Sequence, residues 1–404
     1  MGLALQGIGG GRASAGVARL VLALYRTDEH FWQLLFADDI RTQAHGPNTP
    51  LLLIMNVLAW AMVGTPISWK KLRGGVEFEW LGYWLDYVRF ELGLSEARTA
   101  WLLKWGDRIL ADRVVLVHIM AEGLGRLGFA TGMLEWARPF LAPMYAWTAS
   151  APSGAILSVP PLILLTLTWI LDQLKTGGRT TPCRGKDVEL GEIFRTDAKG
   201  DEKKVVLGGW ETQGNDPPDP RKSRWFSVTL TEREAPWLFA RGHASRTISS
   251  GELLGTLVAV HLFCTKPLQT GRRHANFKVT GQTDNQGNSF VVSKLHTTKF
   301  PLCAVLMQLA TTLGQLGLWL DLNWQARELN TEADALTNDD YGSFDMALRI
   351  PVVWSEMPCE VLERMVTAGE SFLADILKVR EAKKAEGTDR HNRYKKKRVK
   401  EVWG

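Results

Sequence analysis

Two adjacent carboxylates, Asp38 and Asp39, follow a largely apolar run of six residues, Phe31 to Phe36. The run predicts a short buried strand, and the acids stand where the chain must turn. Neighbouring carboxylates repel each other unless solvent or a cation separates them, and Mg²⁺ binds through one or two carboxylates. A solvated turn is the alternative, because Asp is a common turn residue. The pair therefore indicates either a metal ligand set or an ordinary turn.

Two further acids, Asp197 and Asp284, each stand at the end of a predicted strand. The strands cover residues 193–196 and 277–283. Acids at strand ends gather at one edge of an α/β sheet, which is where ligands usually bind. The alternatives are a turn residue at Asp197 and a helix cap at Asp284.

Two helical acids would complete this second set. Glu252 lies in the first turn of a helix predicted over residues 250–263, and Asp334 lies in a helix that begins after Asn330. Because Glu252 stands three residues after Ser249, a capping box is its alternative, and a surface charge is the alternative for Asp334. Four carboxylates at one sheet edge can hold two divalent cations, which activate a water and stabilise the leaving oxygen of a phosphodiester.

The elements around these acids predict an α+β arrangement followed by an α/β unit. Helices are predicted from Val17 to Tyr25 and from Leu51 to Met62, and an aromatic hairpin from Val76 to Tyr87. Residues 188–340 read as three strands and a helix, then alternating strand and helix, which is an α/β pattern. Glu360 to Leu377 predicts one amphipathic helix.

The composition is that of a globular protein with two or three domains. The chain has 404 residues, of which 45% are hydrophobic and 23% charged. Its four cysteines are scattered, which is typical of reduced thiols in an intracellular protein. We expect no secretory signal, because the Gly/Ala-rich start lacks an apolar core. The apolar run from Leu162 to Leu171 is too short to cross a bilayer, so we expect no membrane partner.

The positive charge of the chain is concentrated at its C-terminal end. Between Lys378 and Lys400 the sequence carries a local charge of +8, which leaves the remainder at −3. Such a run is typical of nuclear import signals and of nucleic-acid contacts. A merely solvated, disordered terminus is the equal alternative.

Five motifs together resemble the ribonuclease H domain of retroelements over about residues 190–340. They are Phe194-Arg195-Thr196-Asp197-Ala198, Leu207-Gly208-Gly209-Trp210, Glu252-Leu253-Leu254, Thr283-Asp284-Asn285-Gln286-Gly287-Asn288, and the run Arg327-Glu328-Leu329-Asn330-Thr331-Glu332-Ala333-Asp334-Ala335-Leu336-Thr337-Asn338. The resemblance implies a mixed-sheet domain with two Mg²⁺ or Mn²⁺ ions per active site. It implies hydrolysis of RNA in an RNA–DNA hybrid. It also implies that the four metal-binding acids are Asp197, Glu252, Asp284 and Asp334.

The chain before this region resembles the back half of a reverse transcriptase. Phe36-Ala37-Asp38-Asp39 resembles the palm motif that supplies two metal-binding aspartates. Lys70 and Lys71 resemble the lysine motif that supplies a general acid, and Trp80-Leu81-Gly82-Tyr83 resembles the primer-grip hairpin. Ser95 to Met120 resembles a helical thumb. The resemblance implies an RNA template and a DNA primer as partners, and it points to tyrosine-recombinase-type retrotransposons and related protist elements.

These resemblances imply a division of the chain into five segments. They are a partial palm (1–92), a helical thumb or connection (93–187), a ribonuclease H-like domain (188–340), a helical extension (341–377) and a basic tail (378–404). A third palm aspartate and the fingers would precede Met1, so we expect a truncated polymerase that is inactive alone and whose missing segment would be a partner. The second hypothesis is a catalytically silent, nucleic-acid-binding remnant. The acids retained in residues 188–340 argue against this second hypothesis for that segment. The missing third aspartate and fingers argue for it in residues 1–92.

Overall fold

The protein is described by a computed structural model of its 404 residues. The residues that the structure describes are 8–24, 31–36, 39–183, 188–212, 217–240, 242–264 and 277–385. The chain divides into two compact units, Met1–Ser95 and Glu96–Gly404. The five predicted segments are not tested by this division and stay predictions.

The first unit combines helices with short antiparallel strands. Over its described residues these are α1 (Ile8–Ala23), β1 (Phe31–Phe36), β2 (Asp39–Ala44), α2 (Thr49–Met62), β3 (Glu77–Trp80), β4 (Tyr83–Asp86) and β5 (Glu91–Leu94). β1 pairs with β2, and β4 pairs with β3 and with β5. Both predicted hairpin strands at Val76 to Tyr87 and the helix at Leu51 to Met62 are thereby confirmed.

The core of the first unit is a small apolar cluster formed by side chains of both helices and both strands of the first hairpin. It contains Val21, Phe31, Ile40 and Trp60. The strand β1 was predicted correctly, but the prediction that it is buried was wrong for half of its side chains. Alternate side chains point to opposite faces, and only one face packs on the cluster. The other face carries three exposed apolar side chains, namely those of Trp32, Leu34 and Phe36.

The helix α1 begins nine residues earlier than the sequence predicts. It starts at Ile8 and therefore includes Gly9, Gly10 and Gly11, which the helix prediction had left outside. Glycine disfavours helix interiors, so propensity alone argues against this start. The packing of Val17 and Val21 against the apolar cluster supports the helix C-terminal to the glycines.

The second unit contains a five-stranded sheet surrounded by helices. Its described strands are β6 (Val114–Leu116), β7 (Ile156–Ser158), β8 (Thr180–Pro182), β9 (Val188–Gly200), β10 (Lys204–Glu211), β11 (Trp225–Thr231), β12 (Phe277–Thr283) and β13 (Leu318–Trp324). Its described helices are α3 (Glu96–Asp112), α4 (Val117–Ala130), α5 (Ala142–Ser150), α6 (Pro161–Lys175), α7 (Pro236–Phe239), α8 (Ile248–Phe263), α9 (Gln286–Lys294), α10 (Leu302–Leu316), α11 (Thr331–Thr337), α12 (Glu360–Gly369) and α13 (Phe372–Ala385).

The sheet is mixed, as the sequence predicts. Its strand order is β11-β10-β9-β12-β13. The pairs β11–β10 and β10–β9 are antiparallel, whereas β9–β12 and β12–β13 are parallel. The parallel pairs bring the C-terminal ends of β9 and β12 to the same edge, where acids can meet.

Helices α8 and α11 cover opposite faces of this sheet. An added Cβ at Gly251 of α8 would meet Val205, and one at Gly208 of β10 would meet Leu336 of α11. Residues 205 and 208 are an odd number apart on one strand, so they face opposite sides. An apolar cluster that includes Trp210, Trp225 and Leu336 anchors α11 to its face.

The C-terminal helical segment departs from the sequence prediction. A single helix was predicted over residues 360–377, but the structure has α12 and α13, which are interrupted after Gly369. An added Cβ at Gly369 would lie 2.2 Å from the ring of Phe300, so this residue marks a close approach to the body of the unit. The part of the predicted tail beyond residue 385 lies outside the described residues. Across the described ranges, no helix combines the length and the apolar character needed to cross a membrane.

Candidate metal centre

Asp197 lies inside β9 rather than at its end. The predicted strand over 193–196 is part of a longer one that runs from Val188 to Gly200, so its predicted boundary was wrong. The physical reason is the hairpin with β10, which pairs with β9 as far as Gly200. The parallel partner β12, by contrast, stops pairing at Thr196. Asp197 is therefore the first residue of β9 after the last residue that pairs with β12.

Glu252 lies in the second turn of α8, because this helix begins at Ile248 and not at residue 250 as predicted. Its alternative reading as half of a capping box is wrong. The N-cap residue is Thr247, which makes no side-chain capping bond. The side chain of Glu252 is buried, with 6% of the residue exposed. It is directed to the interior of the unit and needs a polar or charged partner there.

Asp284 directly follows β12, as the sequence predicts. Its alternative reading as a helix cap is wrong, since Asn285 occupies the N-cap position of α9 and accepts a hydrogen bond from the backbone N–H of Asn288. The indole N–H of Trp324 donates to the backbone carbonyl of Asp284 at 3.0 Å. The backbone of Asp284 is therefore held in place at the end of β12.

The structure brings Asp197, Glu252 and Asp284 together. One carboxylate oxygen from each of them lies within 4.8 Å of the others. Within the part of the chain that the structure describes, they form the one group of three or more acidic, His or Cys side chains close enough to share an ion. Their role as metal ligands stays a prediction.

Burial is the main cause that raises the pKa values of all three carboxyl groups, and neighbouring acids add to it. Burial, together with the charges of Asp284 and Asp334, raises the pKa of Asp197 to about 6. Burial, followed by the charges of Asp197 and Asp284, raises the pKa of Glu252 well above its usual value. Burial also raises the pKa of Asp284, against the lowering effect of Arg327. Without a cation, all three carboxyl groups at this sheet edge are thus harder to ionise than exposed ones.

The group fits a divalent cation such as Mg²⁺ or Mn²⁺. Carboxylate oxygens are the ligands that these hard cations prefer. The Oε2 atom of Glu252 is buried and has no hydrogen-bond partner among the described residues. A buried oxygen without a partner is costly, and a cation would satisfy it. The residues that would hold the ion are Asp197, Glu252 and Asp284.

Asp334 lies in α11, as predicted, but its carboxylate is engaged by neighbouring side chains. Arg327 donates to its Oδ1 at 2.5 Å, and the amide of Asn338 donates to its Oδ2 at 2.9 Å. Burial is the main cause of the raised pKa values of Asp197 and Asp284, and the charge of Asp334 contributes to both. The charge of the fourth predicted acid therefore acts on Asp197 and Asp284, but Asp334 does not belong to the group whose oxygens lie within 4.8 Å of one another.

Thr337 was not predicted as a site residue, but its hydroxyl donates to Asp197 Oδ2 at 2.8 Å. This bond is possible because Gly208, opposite Asp197 in the strand pairing, has no side chain. An added Cβ at Gly208 would lie 2.8 Å from the Cβ of Leu336 and would displace α11. The spacing of Thr337 three residues after Asp334 was an available signal, since such residues share a helix face.

The structure describes the predicted palm residues only in part. Asp39 begins β2 opposite Phe36, whereas Ala37 and Asp38 lie outside the described residues. Lys70 and Lys71 lie in a single 3₁₀ turn and are exposed. The predicted roles of Asp38, Asp39 and Lys70 stay predictions.

Comparisons with known proteins find similarity to solved structures. The sequence matches no protein-family model, and it matches no curated protein. The structure is similar to that of a foamy viral protease-reverse transcriptase in complex with double-stranded DNA. The identity is 15% over 78% of this chain and 58% of that chain, with a TM-score of 0.34. For the same viral protein in complex with an RNA/DNA hybrid, the identity is 13% over 77% and 38% of the chains, with a TM-score of 0.32.

The structure is also similar to the RNase H1 of the halophilic archaeon Halobacterium salinarum NRC-1. This likeness has 16% identity, covers 39% of this chain and 98% of that chain, and has a TM-score of 0.23. The chain spans between 38% and 58% of the length of the two reverse-transcriptase chains. Because these TM-scores are below 0.5, the function has to be argued from the chain's own residues.

Proposed function

We propose that the second unit is a metal-dependent nuclease that hydrolyses RNA in RNA–DNA hybrids. The observation that carries the proposal is the group of three buried or half-buried carboxylates at one edge of a mixed sheet. In this group an oxygen of Glu252 has no other partner among the described residues. Burying several carboxylates together lowers the stability of the fold, and such groups are commonly found at sites that perform chemistry.

The proposal assigns a role to each side chain of the site. Asp197, Glu252 and Asp284 hold the divalent cations, and Asp334 contributes to the charge of the same edge. When bound, two cations activate the attacking water and stabilise the leaving oxygen of the phosphodiester. Thr337 donates to Asp197 Oδ2 and so helps to fix the orientation of this carboxylate.

The substrate class is proposed from the resemblance of about residues 190–340 to retroelement ribonucleases H. Recognition of a hybrid would use backbone and 2′-hydroxyl contacts, because side chains cannot read the deep major groove of A-form helices. The tyrosine-recombinase type of element, an intracellular location and a role of the basic tail in nuclear import or nucleic-acid contact belong to the same proposal.

The test is cleavage of an RNA–DNA hybrid whose two strands carry different labels. The purified full chain with Mg²⁺ or Mn²⁺ should cut the RNA strand and leave the DNA strand intact. A DNA duplex and an RNA duplex of the same sequence are the substrate controls. Asp321→Asn is a control variant, because Asp321 is an acid of the same sheet that pairs with Lys278 at 3.0 Å outside the site. A folded, metal-binding protein that cuts neither strand would favour the silent remnant.

For the first unit we propose part of an RNA-directed DNA polymerase palm that is inactive alone. The support is the resemblance around Asp38, Asp39 and Lys70, together with the start of β2 at Asp39 directly opposite Phe36. Primer extension on an RNA template is the measurement. Synthesis by the purified chain without an added segment would refute the proposal.

A further inference from the structure

Asn330 occupies a helix N-cap position but does not cap its helix. It directly precedes α11 and is only 1% exposed. Asn is favoured at such a position because its side-chain oxygen commonly accepts from the first backbone N–H groups of the helix. The side chain of Asn330 makes no such bond. It is therefore engaged elsewhere.

The side chain of Asn330 belongs to a chain of hydrogen bonds between two strands. Its Nδ2 donates to the backbone carbonyl of Thr196 at 3.0 Å. Its Oδ1 accepts from Nε2 of Gln325 at 2.8 Å. The backbone N–H of Gln325 in turn donates to the carbonyl of Thr283 at 3.0 Å. We name this the Gln325–Asn330 bridge.

The two ends of the bridge lie immediately before two acids of the site. Thr196 precedes Asp197, and Thr283 precedes Asp284. Thr196 and Thr283 are also partners in the pairing of β9 with β12, and this is the last pair of that ladder. Beyond this point the sheet no longer fixes the two strands relative to each other, so the separation of the two carboxylates depends on what lies across the strand ends.

We infer that Gln325 and Asn330 are positioning residues that hold Asp197 and Asp284 at the separation required to share a divalent cation. This inference rests on the proposed metal-dependent function. Partners that orient metal ligands without touching the metal typically change metal affinity by about 10–100-fold when they are removed. A purely structural role would only satisfy the two buried carbonyls, and its loss would change stability without changing the affinity for metal.

The test measures Mn²⁺ binding to the full chain by titration calorimetry, independently of any nuclease activity. Gln325→Ala and Asn330→Ala should each weaken binding about 10-fold or more. The Mn²⁺ affinity of the double variant should equal that of the single variant with the lower affinity, because both changes break the same chain of hydrogen bonds. Gln325→Glu keeps the shape of the side chain while removing its donor, and it carries the test if Asn330→Ala does not fold.

Asn56→Ala is the matched control. Asn56 is also buried, and its side chain also makes two hydrogen bonds, with Gln33 and with Thr42, but in the first unit. We expect this variant to lower stability and to leave Mn²⁺ affinity unchanged.

Unchanged Mn²⁺ affinity in the folded Gln325 variants would overturn the inference, even if their melting temperature falls. A wild-type protein that binds Mn²⁺ but does not cleave the hybrid would overturn the proposed function alone. A wild-type protein that binds no Mn²⁺ would overturn both.

Discussion

Replacing Glu252 with Gln tests the charge at the centre of the site. Glu252 is buried, and its Oε2 has no partner among the described residues. The substitution keeps the volume, removes the charge and supplies an N–H donor beside the two remaining carboxylates. An unsatisfied buried polar group costs about 1–3 kcal/mol. In the absence of metal, the free energy of unfolding of Glu252→Gln at neutral pH should therefore exceed that of the wild type by about that amount.

The response to metal should change in the opposite sense. A ligand at 100 times its dissociation constant stabilises the folded state by about 2.7 kcal/mol. The second unit has about 300 residues. With an unfolding entropy of about 2.1 cal/mol/K per residue, its melting temperature should rise by about 4 °C in the wild type. We expect a rise of less than about 1 °C in Glu252→Gln, because the cation loses a buried ligand.

The pH dependence of the metal-free proteins gives an independent check. A carboxyl group whose pKa is raised on folding destabilises the fold above that pKa, and the penalty disappears as the pH falls below the ordinary value. The pKa of Glu252 is raised well above 4.5, mainly by burial. The advantage of Glu252→Gln should therefore be present at neutral pH, shrink as the pH falls towards about 4.5, and be absent below that value.

The assay is differential scanning fluorimetry with and without Mg²⁺ across this pH range. Glu122→Gln is the control, because Glu122 pairs with Arg126 at 2.9 Å on the surface of α4. Its metal response should equal that of the wild type. An undiminished Mg²⁺ shift in Glu252→Gln would refute the reasoning.

Four further predictions concern two contacts of the site, the basic tail and the polymerase part. Thr337→Val removes a hydrogen bond that lowers the pKa of Asp197, so Mn²⁺ binding measured against pH should require a higher pH than in the wild type. Gly208→Ala should lower the free energy of unfolding in urea by about 1–3 kcal/mol through overpacking against Leu336, whereas Gly314→Ala, which has open space, should not. Deleting residues 386–404 should weaken nucleic-acid binding and flatten its salt dependence in a filter-binding titration, since each lost phosphate contact releases fewer counterions. Primer extension by the purified chain should stay at background, and synthesis would contradict the proposal for the first unit.

The elements that the sequence predicted best are those whose signals are local. The strand over residues 277–283 and the position of Asp284 directly after it were both confirmed. The helix that carries Asp334 was also confirmed. Alternating or periodic apolar residues and nearby turn residues suffice for such predictions.

The element boundaries that were predicted wrongly depend on partners distant in sequence. The strand containing Asp197 continues to Gly200 because β10 folds back on it, and the apolar pattern alone ends earlier. The helix containing Glu252 begins at Ile248, so a local capping pattern at Ser249 was misleading. In both cases tertiary packing overrode a short-range signal.

The contacts that support the site, unlike the convergence of its acids, were not visible in the sequence. Asn330 reads as an ordinary helix cap, and only the structure shows that its side chain reaches Thr196 instead. Gly208 reads as a weak point in a strand, and only the structure shows that α11 occupies the space of its missing side chain. These relations join residues more than 120 positions apart, beyond the range of any periodic pattern.

The most direct test of the central claim is the rate of hybrid cleavage by Asp284→Asn under single-turnover conditions with Mg²⁺. This substitution removes one of the three converging carboxylates while keeping its volume. A loss of about 3–4 kcal/mol of transition-state stabilisation should slow cleavage by about two to three powers of ten. The melting temperature without metal should change little, and Asp321→Asn should cleave at the wild-type rate. Cleavage of the RNA strand by folded Asp284→Asn at the wild-type rate would contradict the account.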